Sequence, residues 1–350
     1  MMQNITGKPE LMKKMNLTLV YRALIEMQSA TRAEISERTK ISTTTVRTLL
    51  EELLQSGEIV ELQLDESSGG RRAQRYSLNL KRNLILSFFL DGKNIIYQVS
   101  DLIGNVLKSD CHETNGEKLS VSQFVAKCLK KWKICAVGIG VPGIVENEHY
   151  YVSTGFNLWY INNLGEQIQT TYHLPVILEN DLNAIAFGFA IHYAKKNRDC
   201  DLSTINMAYI HVNKNCSGAG IIVDGKIVHG AKRFAGELGF LPLLPNKDVD
   251  TVLEESADKQ EITNSIARLI SIVNCVTNPS LVVIGGERFQ IDHISLEEIK
   301  ASVQTYISDI MQPEIIFSGN FKNDYLTGLT CLTAQTVIPR LPVSKDIQEE

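Results

Sequence analysis

The sequence predicts an α/β fold for residues 81–350, preceded by a smaller, mainly helical unit in residues 1–80. Beyond Asn79, short apolar runs of strand length alternate with longer amphipathic segments, whereas the first eighty residues repeat apolar side chains at helical spacing. The charge also divides there: residues 1–82 carry thirteen Lys or Arg and ten Asp or Glu, +3, so the remainder of a chain of net charge -5 carries -8. A length of 350 residues suffices for two or three units with separate cores.

Three helices are predicted at the start of the chain. The first covers residues 16–27, where Leu17, Val20, Tyr21, Leu24 and Ile25 recur at helical spacing. Thr31 and Glu34 form a capping-box pattern that begins a short helix over residues 32–38. Ser42 can cap a third helix with a continuous apolar stripe, Val46, Leu49, Leu50, Leu53 and Leu54.

A basic hairpin follows the third helix. Gly57 ends the helix, residues 59–62 alternate like a strand, residues 69–75 form a glycine- and arginine-rich tip, and residues 76–78 return as the second strand. This order is typical of a winged helix-turn-helix that reads double-stranded DNA, with the third helix in the major groove. The alternative is a helical bundle whose hairpin binds protein or caps the main domain. The predicted DNA contacts are Arg32, Thr43, Thr44, Thr45, Arg47, Arg71 and Arg72.

Residues 81–350 contain seven predicted strands and three predicted helices. The strands cover residues 84–89, 95–100, 136–141, 176–178, 207–211, 220–223 and 281–284. The helices cover residues 122–131, 185–195 and 261–276. This alternation favours an α/β fold with parallel strands.

The cysteines and the absence of long apolar runs indicate a cytoplasmic protein. Seven cysteines are scattered without CxxC spacing, and their odd number favours free thiols. No apolar run approaches the roughly 18 residues that a membrane span needs, and the first residues lack a secretory signal.

Four stretches occur in the order found in one known family. They are residues 137–145 (VGIGVPGIV), 174–184 (LPVILENDLNA), 230–239 ending in AGELG, and 278–286 ending in VIGG. In these stretches the chain resembles the ROK family of sugar kinases and repressors, and the resemblance extends over essentially the whole chain. It implies an actin-like fold of two ribonuclease-H-like lobes, lobe one about 84–182 plus the C-terminal helix and lobe two about 183–335, with a sugar cleft between them.

The resemblance also implies a set of sugar contacts. Asn180 and Asp181 match the family's sugar-binding Asn and Asp, and in the kinases that aspartate is the base that deprotonates the attacking hydroxyl. Glu237, and apparently Glu254, match glutamates that accept hydrogen bonds from sugar hydroxyls. Gly143 and Thr154 would line the rim. Taken without the family, these residues are better explained as turns, helix caps or surface charges.

The kinase motifs of the family are changed in this chain. Where the kinases have Asp-x-Gly-Gly-Thr for magnesium and phosphate, the register places Phe89 at the aspartate and Asp91 at the first glycine. The second phosphate loop aligns with residues 214–218, where Lys214 and Cys216 replace small residues. Phosphoryl transfer depends on positioning phosphate and metal, so we expect no kinase activity and no nucleotide or metal cofactor.

The structural zinc site of many relatives is also absent from the sequence. Phe240 stands at the position of the zinc-binding histidine, and residues 241–251 contain no cysteine. A loop without these ligands cannot form that site, and Phe240 is expected to alter the choice of sugar or to pack the loop.

The sequence therefore predicts a transcriptional regulator. The family resemblance implies that it is a repressor of carbohydrate genes. A homodimer or homotetramer would bind an operator, and a sugar or sugar phosphate in the cleft would change the relative orientation of the DNA-binding units. Two alternatives stay open: a working ATP-dependent sugar kinase with an added DNA-binding module, and a regulator that answers to a protein partner instead of a small ligand.

Overall fold

A computed structural model describes residues 9–62, 73–114, 118–146, 149–153, 159–197, 200–213, 216–256, 258–286, 289 and 293–338. Within these ranges the chain forms a helical unit with a small sheet, followed by two α/β lobes, each built on a five-stranded sheet. No helix in the described part is both long enough and apolar enough to cross a bilayer.

The N-terminal unit has the order of helices and strands that is typical of a winged helix. Its elements are α1 (Pro9–Met27), β1 (Ala30–Thr31), α2 (Arg32–Thr39), α3 (Thr43–Ser56), β2 (Ile59–Glu61) and β3 (Arg75–Leu78). The predicted capping box at Thr31 and Glu34 is present, with both hydrogen bonds formed. Ser42 caps α3, and Gly57 ends it in the left-handed conformation that favours glycine. The sheet order is β1-β3-β2.

The winged helix contacts the rest of the protein through its own core. Leu80 and Ile103, together with Ile338 after the last helix, pack against the buried side chains of α1, α2 and α3. A small cavity of about 260 Å³ lies at the same junction, between Tyr21 of α1 and Val337. The C-terminal end of the chain's last described helix therefore touches the N-terminal unit.

Lobe one is built on a sheet of order β11-β7-β4-β5-β6. Its strands are β4 (Leu84–Asp91), β5 (Asn94–Asp101), β6 (Val106–Glu113), β7 (Ile134–Val141) and β11 (Val176–Asn180). β4, β7 and β11 are parallel, so their carboxyl ends meet at one edge. The lobe also contains α4 (Lys118–Lys131), α5 (Leu164–Tyr172) and a small sheet of β8 (Ile144–Glu146), β9 (His149–Ser153) and β10 (Trp159–Asn162).

Lobe two is built on a sheet of order β14-β13-β12-β17-β18. Its strands are β12 (Met207–Val212), β13 (Ser217–Val223), β14 (Lys226–Ile227), β17 (Leu281–Gly285) and β18 (Glu314–Phe317). Between them lie the short hairpin β15 (Pro242–Leu244) and β16 (Lys247–Asp248), and helices α7 (Val249–Glu255), α8 (Lys259–Thr277) and α9 (Leu296–Val303). Apolar side chains of α8 and of β12 and β17 share one buried core.

Two helices, α6 (Asp181–Lys196) and α10 (Phe321–Val337), cross where the lobes meet. α6 packs on β12 and β13 of lobe two, and α10 returns to pack on β4 and β7 of lobe one. Gly188 and Gly328 permit the close crossing: a Cβ atom on Gly188 would overlap the carbonyl oxygen of Asp324, and one on Gly328 that of Ala184. The Asp324 carboxylate also contacts His192 Nδ1 at 2.6 Å across this crossing.

All nine predicted strands and all six predicted helices are present. Most ends differ by at most four residues, and α1 begins seven residues before its predicted start. The predicted helix at 185–195 begins four residues earlier, at Asp181, because Asn180 caps it by accepting from the Asn183 amide at 3.1 Å. The sequence patterns missed the edge strand β6, whose exposed side chains show no alternation, and also missed β18, α5, α9 and α10.

Candidate functional site

A cleft of about 880 Å³ separates the two lobes. Asn180, Asp181 and Gly143 line it at the carboxyl ends of the parallel strands of lobe one, and Glu237 faces them from a loop of lobe two. Crevices beyond the carboxyl ends of parallel strands are the usual ligand sites of open α/β sheets. The structure thus brings together four of the six residues that the sequence predicted as ligand contacts.

The position of Asn180 is fixed by a network around a buried carboxylate. Glu179 Oε1 accepts from the Asn180 amide at 3.0 Å and from Asn183 Nδ2 at 3.1 Å, and Glu179 Oε2 lies 3.0 Å from His229 Nε2. The Asn180 side chain itself donates to the Gly143 carbonyl oxygen at 3.0 Å. Since its Oδ1 caps α6, Asn180 has one side-chain N–H left for a ligand.

Asp181 and Glu237 are two carboxylates in a desolvated cleft. Burial raises the pKa of Asp181 to about 6, although its Oδ1 accepts from the Leu182 amide at 2.8 Å. Burial, together with the charges of Asp181 and Asp250, raises the pKa of Glu237 to about 7. Both groups can accept hydrogen bonds from hydroxyl donors, and neither has a cation among the described residues that line the cleft.

Glu237→Gln is expected to stabilise the protein at alkaline pH. The folded-state pKa of Glu237 lies above its ordinary value of 4.5. The contribution of Glu237 to the free energy of unfolding is therefore fully present below about pH 4.5 and is lost as pH rises through about 7. The variant removes the buried charge, and we expect its free energy of unfolding to exceed that of the wild type by about 1–2 kcal/mol at pH 8. Urea denaturation at pH 5 and pH 8 measures this, and an equal difference at both values would contradict it.

An aromatic pair occupies the position that the family resemblance assigns to the magnesium ligand of the kinases. Phe89 is buried and stacks on Tyr325, with ring centroids 4.2 Å apart. Asp91 ends β4, and its Oδ2 is 2.8 Å from Lys322 Nζ. β4 pairs with β5 without a register shift, from Leu84 opposite Asp101 to Asp91 opposite Asn94. Phe89 lines the cleft, so an apolar ring faces this part of it.

The second loop of the cleft joins β12 to β13. Val212 pairs with Ser217 at its base, Cys216 and Gly218 line the cleft, and Lys214 lies outside the described residues. Burial and the neighbouring carboxylates raise the pKa of the Cys216 thiol to about 11, so it is protonated at neutral pH. The described residues contain no group of three or more His, Cys, Asp or Glu side chains placed to hold a metal ion.

Two of the predicted ligand contacts are not found in the cleft. Glu254 is exposed on α7 and is not part of the lining, whereas Thr154 lies outside the described residues. Asp250, one helical turn before Glu254, is the acidic residue of α7 that acts on Glu237, and burial raises its own pKa. The sequence places Asp250 and Glu254 one helical turn apart on α7. That spacing does not show which of the two faces the cleft. Phe240 packs near Phe234, with centroids 5.5 Å apart.

Sequence reasoning also missed much of the remaining lining. Polar groups come from β12 and its neighbours, and aromatic groups come from the far end of the sheet. These residues are Tyr209, His211, Asn213, Ser217, Phe289, Phe317, Ser318 and Phe321. The sequence does not show that these residues line one cleft, because they are far apart along the chain. They meet only when the strand order brings the strand ends together.

A second candidate surface lies on α3 of the winged helix. Thr43, Thr44 and Arg47 are exposed on its first two turns, while Thr45 is half-buried and contacts Ser42 Oγ at 2.9 Å. Arg47 Nε donates to Glu51 Oε1 at 2.7 Å, and this pairing raises the pKa of Arg47. The exposed side chains on this face are polar, and the major groove of DNA is wide enough to admit an α-helix.

The other predicted DNA contacts are divided between α2 and the wing. Arg32 is exposed at the start of α2. Arg71 and Arg72, at the predicted wing tip, lie outside the described residues. Arg75, at the base of the wing, instead contacts Glu34 at 3.2 Å and Ser29, which ties β3 to the turn before α2.

The known sequences that are similar to this chain include proteins named as repressors or transcriptional regulators. Residues 92–252 match the model of the ROK family. The "Xylose repressor" of Caldicellulosiruptor bescii is 27% identical over 345 residues, covering 90% of this chain and 85% of the relative. The "DNA-binding transcriptional dual regulator NagC" of Escherichia coli K12 is 21% identical over 362 residues, covering 85% and 87% of the two chains.

Comparison with solved structures gives the same fold. A ROK family transcriptional regulator, described as a homologue of the E. coli MLC protein, superposes with a TM-score of 0.71 at 19% identity, over 93% of this chain and 97% of the other. The ROK hexokinase of Thermus thermophilus superposes with a TM-score of 0.58 at 18% identity, over 73% and 99% of the chains. The hexokinase thus matches about three quarters of this chain, whereas the regulator matches nearly all of it.

Proposed function

The chain carries a ROK family domain, and from that premise we propose that it is a transcriptional repressor whose binding to operator DNA is controlled by a sugar in the inter-lobe cleft. The observation that carries the proposal is the combination of a winged helix with a cleft that keeps the carboxylates for hydroxyl recognition and has an aromatic pair in place of a metal ligand. Relatives similar over 85–90% of the chain are named as sugar repressors or regulators.

The DNA-binding half of the proposal rests on α3. Its exposed Thr43, Thr44 and Arg47 present hydroxyl and guanidinium groups of the kind that contact base edges and phosphates in the major groove. The wing would add phosphate contacts through Arg71 and Arg72. A homodimer or homotetramer would place two such helices in half-sites about one helical turn apart. A protein that binds operator DNA would act in the cytoplasm.

The sugar-binding half rests on the cleft. Asn180, Asp181 and Glu237 supply one amide donor and two carboxylate acceptors from both lobes, so a bound sugar contacts both lobes at once. A ligand of this kind favours the closed arrangement, and α10, which lines the cleft at Phe321 and reaches the winged helix at Val337, connects the two sites. A pentose is the first candidate, since the C. bescii relative is a xylose repressor.

Release of operator DNA by a sugar is the experiment that tests the proposal. Fluorescence anisotropy of a labelled operator is measured with D-xylose, D-glucose and N-acetyl-D-glucosamine. We expect one sugar to lower operator affinity at least fivefold, the low end of ordinary allosteric coupling. Asp181→Asn is expected to abolish this response and to leave operator affinity without sugar unaltered within twofold. Loss of operator affinity in Asp181→Asn without sugar would contradict the assignment of Asp181 to the sugar site.

The proposal excludes useful kinase activity. With ATP, magnesium and the same three sugars, a coupled assay is expected to show no turnover above a protein-free blank, because Phe89 provides no oxygen ligand for magnesium. Turnover that Asp181→Asn abolishes would show instead that the chain is a sugar kinase.

A further inference from the structure

The cleft has two chemically different ends. The edge of the lobe-two sheet runs along it in the order β13, β12, β17, β18, with Ser217 on β13, His211 on β12, Gly285 on β17 and Phe317 on β18. Adjacent strands are about 4.8 Å apart, so β13 and β18 are separated by about 14 Å. One sugar ring held at β13 does not reach β18.

The end at β13 is the acidic one. The start of α6, which carries Asp181, packs on β13, since a Cβ on Gly220 would overlap the Leu182 carbonyl oxygen. The loop carrying Glu237 also runs beside β13, because the Ala219 amide donates to the Gly236 carbonyl oxygen at 2.7 Å. The described residues that line this end include Asp181 and Glu237 but no Lys or Arg, whereas Asp91, which also lines the cleft, is paired with Lys322.

The end at β17 and β18 is aromatic and aliphatic. Phe289 and Phe317 meet edge to face, with centroids 5.3 Å apart, and Ile294 is buried beside the same cleft. Phe317 and Phe321 are 38% and 40% exposed, so two large apolar rings border open space at this end. Between the two ends, Tyr209, His211 and Ser318 provide polar side chains.

The volume also exceeds what one ring needs. Sites for drug-sized molecules occupy roughly 300–1,000 Å³, and the cleft, at about 880 Å³, lies in the upper part of that range. A monosaccharide held by Asn180, Asp181 and Glu237 would leave the aromatic end in contact with water. An additional ring or apolar group would remove those surfaces from water and gain aromatic stacking.

We propose that the effector is an uncharged sugar extended by a second ring, with one sugar ring at Asp181 and Glu237 and the second ring against Phe317 and Phe289. This inference rests on the proposed function and specifies its ligand. It disfavours sugar phosphates, because the Asp181 and Glu237 carboxylates at the sugar-binding end repel an anion. It also requires that affinity rise with ligand length, because Phe317 is reached only by the second ring.

Calorimetric titration of the full-length protein tests the inference with matched sets of ligands. The first set is D-glucose, maltose, isomaltose and glucose 6-phosphate, and the second is D-xylose, xylobiose and xylose 5-phosphate. We expect at least one disaccharide to bind at least tenfold more tightly than its monosaccharide, and each phosphate ester to bind more weakly than its parent sugar. Phe317→Ala is expected to reduce the ratio of the two dissociation constants about tenfold, and Tyr160→Ala, at an exposed ring of β10 outside the cleft, to leave it unchanged.

The outcomes separate this inference from the proposed function. Monosaccharides that bind as tightly as every disaccharide, or a phosphate ester that binds best, would overturn the inference and leave a sugar-controlled repressor. No binding by any ligand of either set, together with no effect of D-xylose, D-glucose or N-acetyl-D-glucosamine on operator affinity, would overturn sugar control itself and the inference with it. A wild-type preference for disaccharides that survives unchanged in Phe317→Ala would overturn the aromatic contact.

Discussion

Arg47→Ala is expected to reduce operator affinity by roughly 5- to 150-fold, the range for loss of one good guanidinium contact of about 1–3 kcal/mol. Arg47 is exposed on the second turn of α3, and its guanidinium lies beside the Glu51 carboxylate at 2.7 Å. On binding DNA, the guanidinium exchanges this partner for a base edge or a phosphate. Anisotropy titrations at several salt concentrations measure the change, and the dependence of affinity on salt should become shallower in the variant.

The matched control removes a positive charge elsewhere. Lys300 is exposed on α9 in lobe two and does not belong to the N-terminal unit that contains α3. In Lys300→Ala, operator affinity should stay within twofold of the wild type. Glu51→Gln gives a second check, since it removes the competing carboxylate and should raise affinity severalfold at low salt. Equal losses in Arg47→Ala and Lys300→Ala would show that α3 is not the DNA-contacting helix.

Gly188→Ala is expected to destabilise the protein by about 2–4 kcal/mol. A methyl group at this position overlaps the backbone carbonyl oxygen of Asp324, and a carbonyl oxygen in a packed helix cannot turn away as a side chain can. α6 and α10 must therefore separate, which exposes apolar surface that Ala184, Leu326 and Leu329 bury between the lobes. Urea denaturation monitored by tryptophan fluorescence measures the loss.

The control for that measurement is another glycine. Gly319→Ala introduces the same methyl group where no atom lies within contact distance and where the backbone is not left-handed, so it should alter stability by less than about 0.5 kcal/mol. A Gly188→Ala variant as stable as Gly319→Ala would mean that the two helices do not cross as closely as described.

Local patterns predicted the elements of this fold well where one side chain determines an end. The Thr31 capping box, the Ser42 cap and the Gly57 stop follow from hydrogen bonds within four residues, and all three are present. β6 was missed because its two faces are both largely exposed, so no apolar alternation marks it. α10 was implied only by the family resemblance, because its mixture of apolar and small side chains leaves no clear amphipathic period for a local pattern to detect.

The candidate site was predictable only in part. Asn180, Asp181 and Glu237 were found through a family resemblance, and the cleft brings them together. Glu254 and Asp250 stand one turn apart on α7, and only the packing of that helix shows that Asp250 faces Glu237. The aromatic end could not be predicted, because Phe289 and Phe317 belong to separate segments that meet through the pairing of β17 with β18.

α10 also sets a mechanical scale for the protein. Its 17 residues span about 25 Å, with Phe321 at the cleft and Val337 at the winged helix, and the glycine crossing at Gly328 lies between them. A rotation of about 5° around that crossing moves the distal end by about 1 Å, which is the size of helix shift that repacks an interface. On the proposed function, a displacement at the cleft too small to change the secondary structure would reach the winged helix as a change of packing.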